Sequence, residues 1–162
     1  MQNLSKWDYR FISMAKLVST WSKDPSRKVG AIISKDKRVI SMGFNGFPCG
    51  IEDSPSRLFD KATKRDLTIH AELNAILNAK QDLQGCTLYV YTLFSCGDCA
   101  LPIIQSGISR VVCNIDRPPS KTWEESGEKA KALFNEACIE YIENREYSRG
   151  EPDFFDIEGY DR

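Results

Sequence analysis

Apolar positions recur along the chain with two different periods, and the switches between them predict its elements. In residues 5–21, Trp7, Phe11, Met14 and Val18 stand four, three and four positions apart. That spacing is the stripe of one helix face. Pro25 biases Asp24 away from helical angles, so the helix should end before it. VGAIIS (29–34) and RVISMGF (38–44) are β-branched runs around a turn-like KDK, which predicts a hairpin. NGFPCGIEDSPS (45–56) holds two glycines and two prolines and predicts a loop.

After a polar stretch, HAELNAILNAK (70–80) is rich in Ala and Leu and predicts a helix. CTLYVYTL (86–93) predicts a strand that runs directly into FSCGDCA. CALPIIQSG (99–107) predicts a short helix stopped by Gly107, with Pro102 tolerated in its first turn. RVVCNI (110–115) predicts a strand, residues 122–138 a helix and residues 139–143 a last strand. The order α-β-β-α-β-α-β-α-β implies an α/β protein. Its three α-β-α layers would enclose a five-stranded mixed sheet, the later strands parallel and joined by right-handed crossovers. No repeat or linker divides the chain, so residues 1–162 read as one domain. Residues 144–162 form an acidic tail, either a docked arm or disordered.

Composition narrows the class. A chain of 162 residues supports one domain with a real core. The net charge of -1 and pI of about 5.9 provide no general attraction for polyanions, which weighs against a nucleic-acid partner. The N-terminus lacks the basic-then-apolar order of a secretory leader. No apolar run reaches membrane-spanning length. The expectation is a cytoplasmic protein with no membrane partner. Its six cysteines are then expected as free thiols or metal ligands.

Only Cys96 and Cys99 form a motif, and the chain has a single histidine, His70. C-x-x-C alone is ambiguous: it serves thiol redox chemistry, half of a four-cysteine zinc site, a catalytic metal, or nothing. A redox pair would leave His70 and Glu72 without a role. A four-cysteine site needs a second close pair, and none exists. HAE opens one predicted helix and the cysteines open the next. Helix N-termini favour the thiolate, the form that binds metal. One imidazole and two thiolates make three tetrahedral zinc ligands with the fourth position open, the catalytic pattern. Zinc lowers the pKa of water held there towards neutrality. Glu72, two residues beyond His70, would move its proton without being a ligand. H-x-E followed by C-x-x-C is the signature of zinc nucleobase deaminases.

SKDPSRKVGAIIS, VISMGFNGFPCGIED, HAELNAI, LYVYTLFSCGDCA and IIQSGISRVV together resemble the deoxycytidylate (dCMP) deaminase family over nearly the whole chain. The resemblance implies the cytidine deaminase-like fold and hydrolysis of dCMP to dUMP and ammonia, which would supply thymidylate synthesis. It implies His70, Cys96 and Cys99 as ligands of one Zn2+ per subunit, and Glu72 as the proton shuttle. Asn45 would contact the nucleoside, the Ala71 amide the substrate carbonyl, and Lys23 the phosphate. Similar enzymes are homohexamers activated by dCTP and inhibited by dTTP, with Mg2+ on the triphosphate. Asn45, Gly46 and Phe47 match the loop associated with that control. Blander readings stand beside these. Asn45-Gly46 is a common turn pair. Lys23, Arg27 and Lys28 resemble a solvated basic face. Trp7, Trp21 and Trp123 fit core or interface positions. The rival functions are deamination of tRNA adenosine, free cytosine or dCTP, and non-catalytic sensing of deoxynucleotides.

One departure stands out: Ser95 precedes Cys96 where the family carries proline. SCGD fits a capping box, so the Ser95 hydroxyl is expected to accept from the amide of Gly97 or Asp98.

Overall fold

The structure, a computed structural model, describes residues 4–145. The elements run α1 (Lys6–Ser19), β1 (Gly30–Lys35), β2 (Arg38–Phe44), α2 (Pro55–Phe59), α3 (Lys61–Leu67), α4 (Ala71–Ala79), β3 (Thr87–Thr92), α5 (Gly97–Gln105), β4 (Arg110–Ile115), α6 (Lys121–Glu136) and β5 (Glu140–Arg145). The five strands form one mixed sheet in the order β2-β1-β3-β4-β5. β1 pairs antiparallel with β2 and β3, and β3, β4 and β5 run parallel. This is the three-layer α/β architecture the pattern predicts. Most of the tail, from residue 146 on, lies outside the described residues.

Strand alternation sorts the core into two layers. Ala31, Ile33, Leu88, Val90, Val111 and Cys113 point to the side of α4, α5 and α6. Ile32, Tyr89, Tyr91 and Val112 point to the other, where Phe11, Ile12, Ala15 and Val18 of α1 cover them. β3 and β4 therefore read as unbroken apolar runs, because both of their faces are buried. The β1–β2 turn places Asp36 and Lys37 at φ 51° and 63°, the left-handed pair of a two-residue hairpin turn.

The elements differ from the sequence expectation in several places. Helices α2 and α3 occupy residues predicted only as loop and polar stretch. They are short, bury no residue, and so carry no apolar periodicity. α5 starts at Gly97, which moves Pro102 from the first turn into the helix interior. The last strand reaches Arg145, two residues beyond its predicted end.

Helix α4 lies unusually close to β2. A Cβ at Gly43 would fall 2.4 Å from the Ala75 nitrogen and 2.5 Å from the Ala71 oxygen. Ser41 Oγ donates to the Ala75 carbonyl at 2.7 Å, and Asn74 Nδ2 donates to the Phe44 carbonyl at 2.7 Å. These contacts fix the N-terminal end of α4 against the sheet.

Candidate active site and metal centre

His70 is the N-cap residue of α4, yet its side chain makes no capping bond. It turns instead towards α5. The segment before it is clipped to the 45–46 loop by paired bonds between Gly46 and Ile69, at 3.1 and 2.8 Å. Cys96 caps α5, with its Sγ accepting from the Cys99 amide at 3.4 Å. The two helix starts meet. His70 Nδ1 lies 3.2 Å from Cys99 Sγ and 3.4 Å from Cys96 Sγ. All three potential ligand atoms fall within 4.8 Å of one another, and both cysteines are buried.

This donor set fits zinc. Tetrahedral zinc with ordinary Zn–N and Zn–S bonds holds its nitrogen and sulfur ligands about 3.6 Å apart. The observed separations are close to that and slightly compact. The electrostatics agree with a shared site. The Cys96 sulfur beside His70 raises the imidazole pKa to about 9. Cys99, donating to Cys96, is the leading cause that lowers the Cys96 pKa to about 4, and Cys99 itself is raised as the donor. A cation bound here must displace those protons, so its affinity rises with pH.

Glu72 lies in the first turn of α4, two residues after His70, and is only 4% exposed. Burial pushes its carboxyl pKa up, against the opposing pull of His70. A cavity of about 410 Å³ opens over the group, lined among others by Asp24, Asn45, Lys64, His70, Glu72 and Trp123. Its size suits a small organic ligand. Ala71 also lines it. Its amide occupies the first helical position of α4, where N–H groups have no intrahelical acceptor.

The other sequence candidates separate. Asn45 is buried and lines the cavity, but its side chain also binds the neighbouring loop. Oδ1 accepts from the Val29 amide at 2.8 Å, and Nδ2 donates to the Arg27 carbonyl at 3.0 Å and reaches Asp24 Oδ2 at 3.4 Å. Lys23 does not line this cavity. It lines a second one of about 300 Å³, together with Gly46 and Phe47, and its Nζ is 2.5 Å from Asp53 Oδ2. Asp24 lines both cavities, whereas its neighbour Lys23 lines only the second.

The Ser95 expectation is corrected. Cys96, one residue later, takes the cap position, and the Gly97 amide donates to Ser126 Oγ at 3.1 Å. The Ser95 hydroxyl is fully buried beside Glu72 and Cys113 and, among the described residues, has no partner in hydrogen-bond geometry. Sequence reasoning also missed Trp123, whose ring centroid lies 5.7 Å from that of His70. Nothing in its local pattern distinguishes it from a core tryptophan. Lys64 and Arg65 were missed because α3 was.

An α-β-α sheet with a His/Cys/Cys set whose two cysteines are buried and an adjoining buried glutamate defines the class of zinc-dependent nucleobase deaminases. Comparison with known proteins agrees. Residues 5–115 match the family model of the cytidine and deoxycytidylate deaminase zinc-binding region, and the chain belongs to that family. It is 46% identical over 143 residues to a protein described as an uncharacterized deaminase in the luxG 3′ region of Aliivibrio fischeri, covering 85% of this chain and 92% of the relative. It is 37% identical over 145 residues to human deoxycytidylate deaminase, covering 84% of this chain and 78% of the relative. A solved dCMP deaminase from the cyanophage S-TIM5, in complex with dCMP and dUMP, shares the fold. Its TM-score is 0.69 at 21% identity, covering 88% of this chain and 99% of that one.

Proposed function

We propose that the protein is a deoxycytidylate deaminase: it converts dCMP and water to dUMP and ammonia, and its product supplies thymidylate synthesis. The observation that carries this is Glu72, a carboxyl sealed from solvent beside His70, Cys96 and Cys99 at the base of the larger cavity. Burial raises that carboxyl's affinity for a proton above the ordinary carboxylate's, which suits a group that takes and returns one. Relatives named for the same reaction support the substrate.

In this reading His70, Cys96 and Cys99 hold one zinc ion, which supplies Lewis acidity and an activated water at neutral pH. Glu72 takes the proton of the attacking water and passes it to N3 of the cytosine ring. It then takes the remaining proton from the hydroxyl added at C4 and delivers it to the amine, so that the C4–N bond breaks, ammonia departs and the ring keeps a C4 carbonyl. The Ala71 amide holds the O2 carbonyl, and Asn45 orients the sugar. The buried floor excludes bulk water from competing for these bonds.

Control by dCTP and dTTP, with Mg2+ on the triphosphate, fits the second cavity. Gly46, Phe47 and the Asp53 carboxylate line it, and Asp24, Asn45, Lys64 and Thr68 line both cavities. Exposed Leu17, Trp21, Met42 and Phe44 along α1 and the β2 edge support assembly into a hexamer. A dCTP titration of the KM for dCMP tests the first idea, and sedimentation equilibrium the second. No response to dCTP, or a monomer at micromolar concentration, would remove them.

The test of the catalytic assignment is Glu72→Ala. It should retain one zinc per chain and lose turnover by about 10²–10⁴-fold. Normal turnover in that variant would refute the role of Glu72.

A further inference from the structure

Ser95 is explained neither by the cap of α5 nor by the cavity. Its side chain is 0% exposed, and its hydroxyl has no partner among the described residues. A buried hydroxyl left unpaired costs free energy that an alanine would not. Folded proteins keep few such groups, and each one asks for a function. The backbone around Ser95 is held from both sides. The Phe94 ring packs against Phe134 and Tyr141, with centroids 6.3 and 5.8 Å away. On the other side Ser126 binds the Gly97 amide, and the Ala100 amide donates to the Cys96 carbonyl at 3.0 Å. What remains free is the rotation of the Ser95 side chain.

Two groups stand beside that hydroxyl, Glu72 and Cys113. Cys113 of β4 is buried, and burial pushes its thiol pKa up and keeps it protonated. A thiol is a weak donor and a weak acceptor. Glu72 is the stronger partner, because a hydrogen bond to an ionised carboxylate is about twice as strong as one between neutral groups. The Cys99 sulfur also meets the Glu72 carboxyl. A sulfur that holds metal does so as the thiolate, however, and then has no hydrogen to offer. Glu72 lines the larger cavity and Ser95 does not. The hydroxyl therefore reaches the carboxyl from the protein side, away from the substrate.

We infer that Ser95 is a positioning residue: its hydroxyl holds the Glu72 carboxyl in the orientation that proton transfer at the cytosine ring needs. The inference rests on the deaminase reading above. A serine hydroxyl offers one donor and two acceptor lone pairs. It donates to Glu72 while the carboxylate is ionised and accepts from it while the carboxyl carries the proton. One contact thus persists through the whole transfer, and the serine hydrogen stays on its own oxygen throughout. Ser95 touches neither substrate nor metal and acts only through Glu72. The proline of similar enzymes has no such group, so this contact is particular to this chain.

The experiment compares the wild type with Ser95→Ala, both zinc-loaded and acting on dCMP, and repeats the substitution in a Glu72→Gln background. Ser95→Ala should retain one zinc per chain and the wild-type KM, and lose kcat on the order of 10-fold. Its Tm should equal or exceed that of the wild type, because the variant removes a buried polar atom that has no partner. In the Glu72→Gln background the same substitution should leave the residual kcat unchanged, since no shuttling carboxyl is left to orient. An unchanged kcat in Ser95→Ala would overturn the role. A raised KM at unchanged kcat, a loss of zinc, a lowered Tm or an equal loss of kcat in both backgrounds would overturn it too, by assigning the hydroxyl to substrate, metal or fold instead of Glu72. Absence of dCMP turnover in the wild type would overturn the deaminase reading, and this role with it.

Discussion

Gly43 on β2 lies so close to Ala71 on α4 that a single added carbon would stand 2.5 Å from the Ala71 carbonyl oxygen. Ala71 is flanked by His70 and Glu72, so this backbone contact sets where both reach into the site. Gly43→Ala cannot be accommodated by a side-chain shift, because the obstructing atoms are backbone. It should cost about 1–3 kcal/mol in stability and lower both zinc content and turnover. Gly46→Ala is the control, since its nearest neighbour would be the Phe44 ring at 4.0 Å. Thermal unfolding and zinc analysis read the difference. Equal stability of the two variants would contradict the packing argument.

A buried ion pair should give the fold a defined acid sensitivity. Asp8 is 3% exposed and receives Arg110 Nη1 at 2.7 Å, Tyr89 Oη at 2.8 Å and the Ser5 amide at 2.8 Å. Burial opposes ionisation, but Arg110 leads the hydrogen bonds that hold the carboxyl well below the usual carboxylate range. A group whose folded pKa is depressed contributes stability above its unfolded pKa, about 3.9. That contribution is lost as pH falls through the folded value. Urea midpoints should therefore fall below about pH 4. Asp8→Asn should flatten that acid limb and cost about 3 kcal/mol at pH 7, because Arg110 loses its buried carboxylate and keeps only the exposed Glu140, 3.2 Å from its Nε. An unchanged pH 7 midpoint would contradict this.

Trp123 should report on ligand binding. Its ring borders both His70 and the larger cavity, whereas Trp7 packs on Phe11 and Trp21 on Phe44. Adding dUMP should change the protein's tryptophan emission, and Trp123→Phe should abolish the change. Trp123→Ala should raise KM for dCMP, with partial rescue by phenylalanine. An emission change that survives Trp123→Phe would place the ligand elsewhere.

Much of this was legible in the sequence for a physical reason. The strands and α1 bury a face, so their apolar periods are visible, and β2 and β4 were read to the residue. His70, Glu72, Cys96 and Cys99 were legible because their chemistry requires rare residue types at short spacing. Other features depend on contacts between distant segments. α2 and α3 bury nothing and show no period, which hid Lys64 and Arg65. Lys23 and Ser26 belong to one polar loop, and only its folded path decides which of them lines the larger cavity. Ser95 reads as a cap by spacing alone, yet Ser126 of α6 meets the Gly97 amide from across the fold.

The most direct test of the central claim is an absorbance and ammonia-release assay of the zinc-loaded protein on dCMP, dCTP, cytidine, free cytosine and an adenosine-containing tRNA. The account predicts turnover of dCMP to dUMP with one ammonia released per nucleotide, and much weaker action on the others. No ammonia from dCMP, or faster release from any other member of the panel, would contradict it.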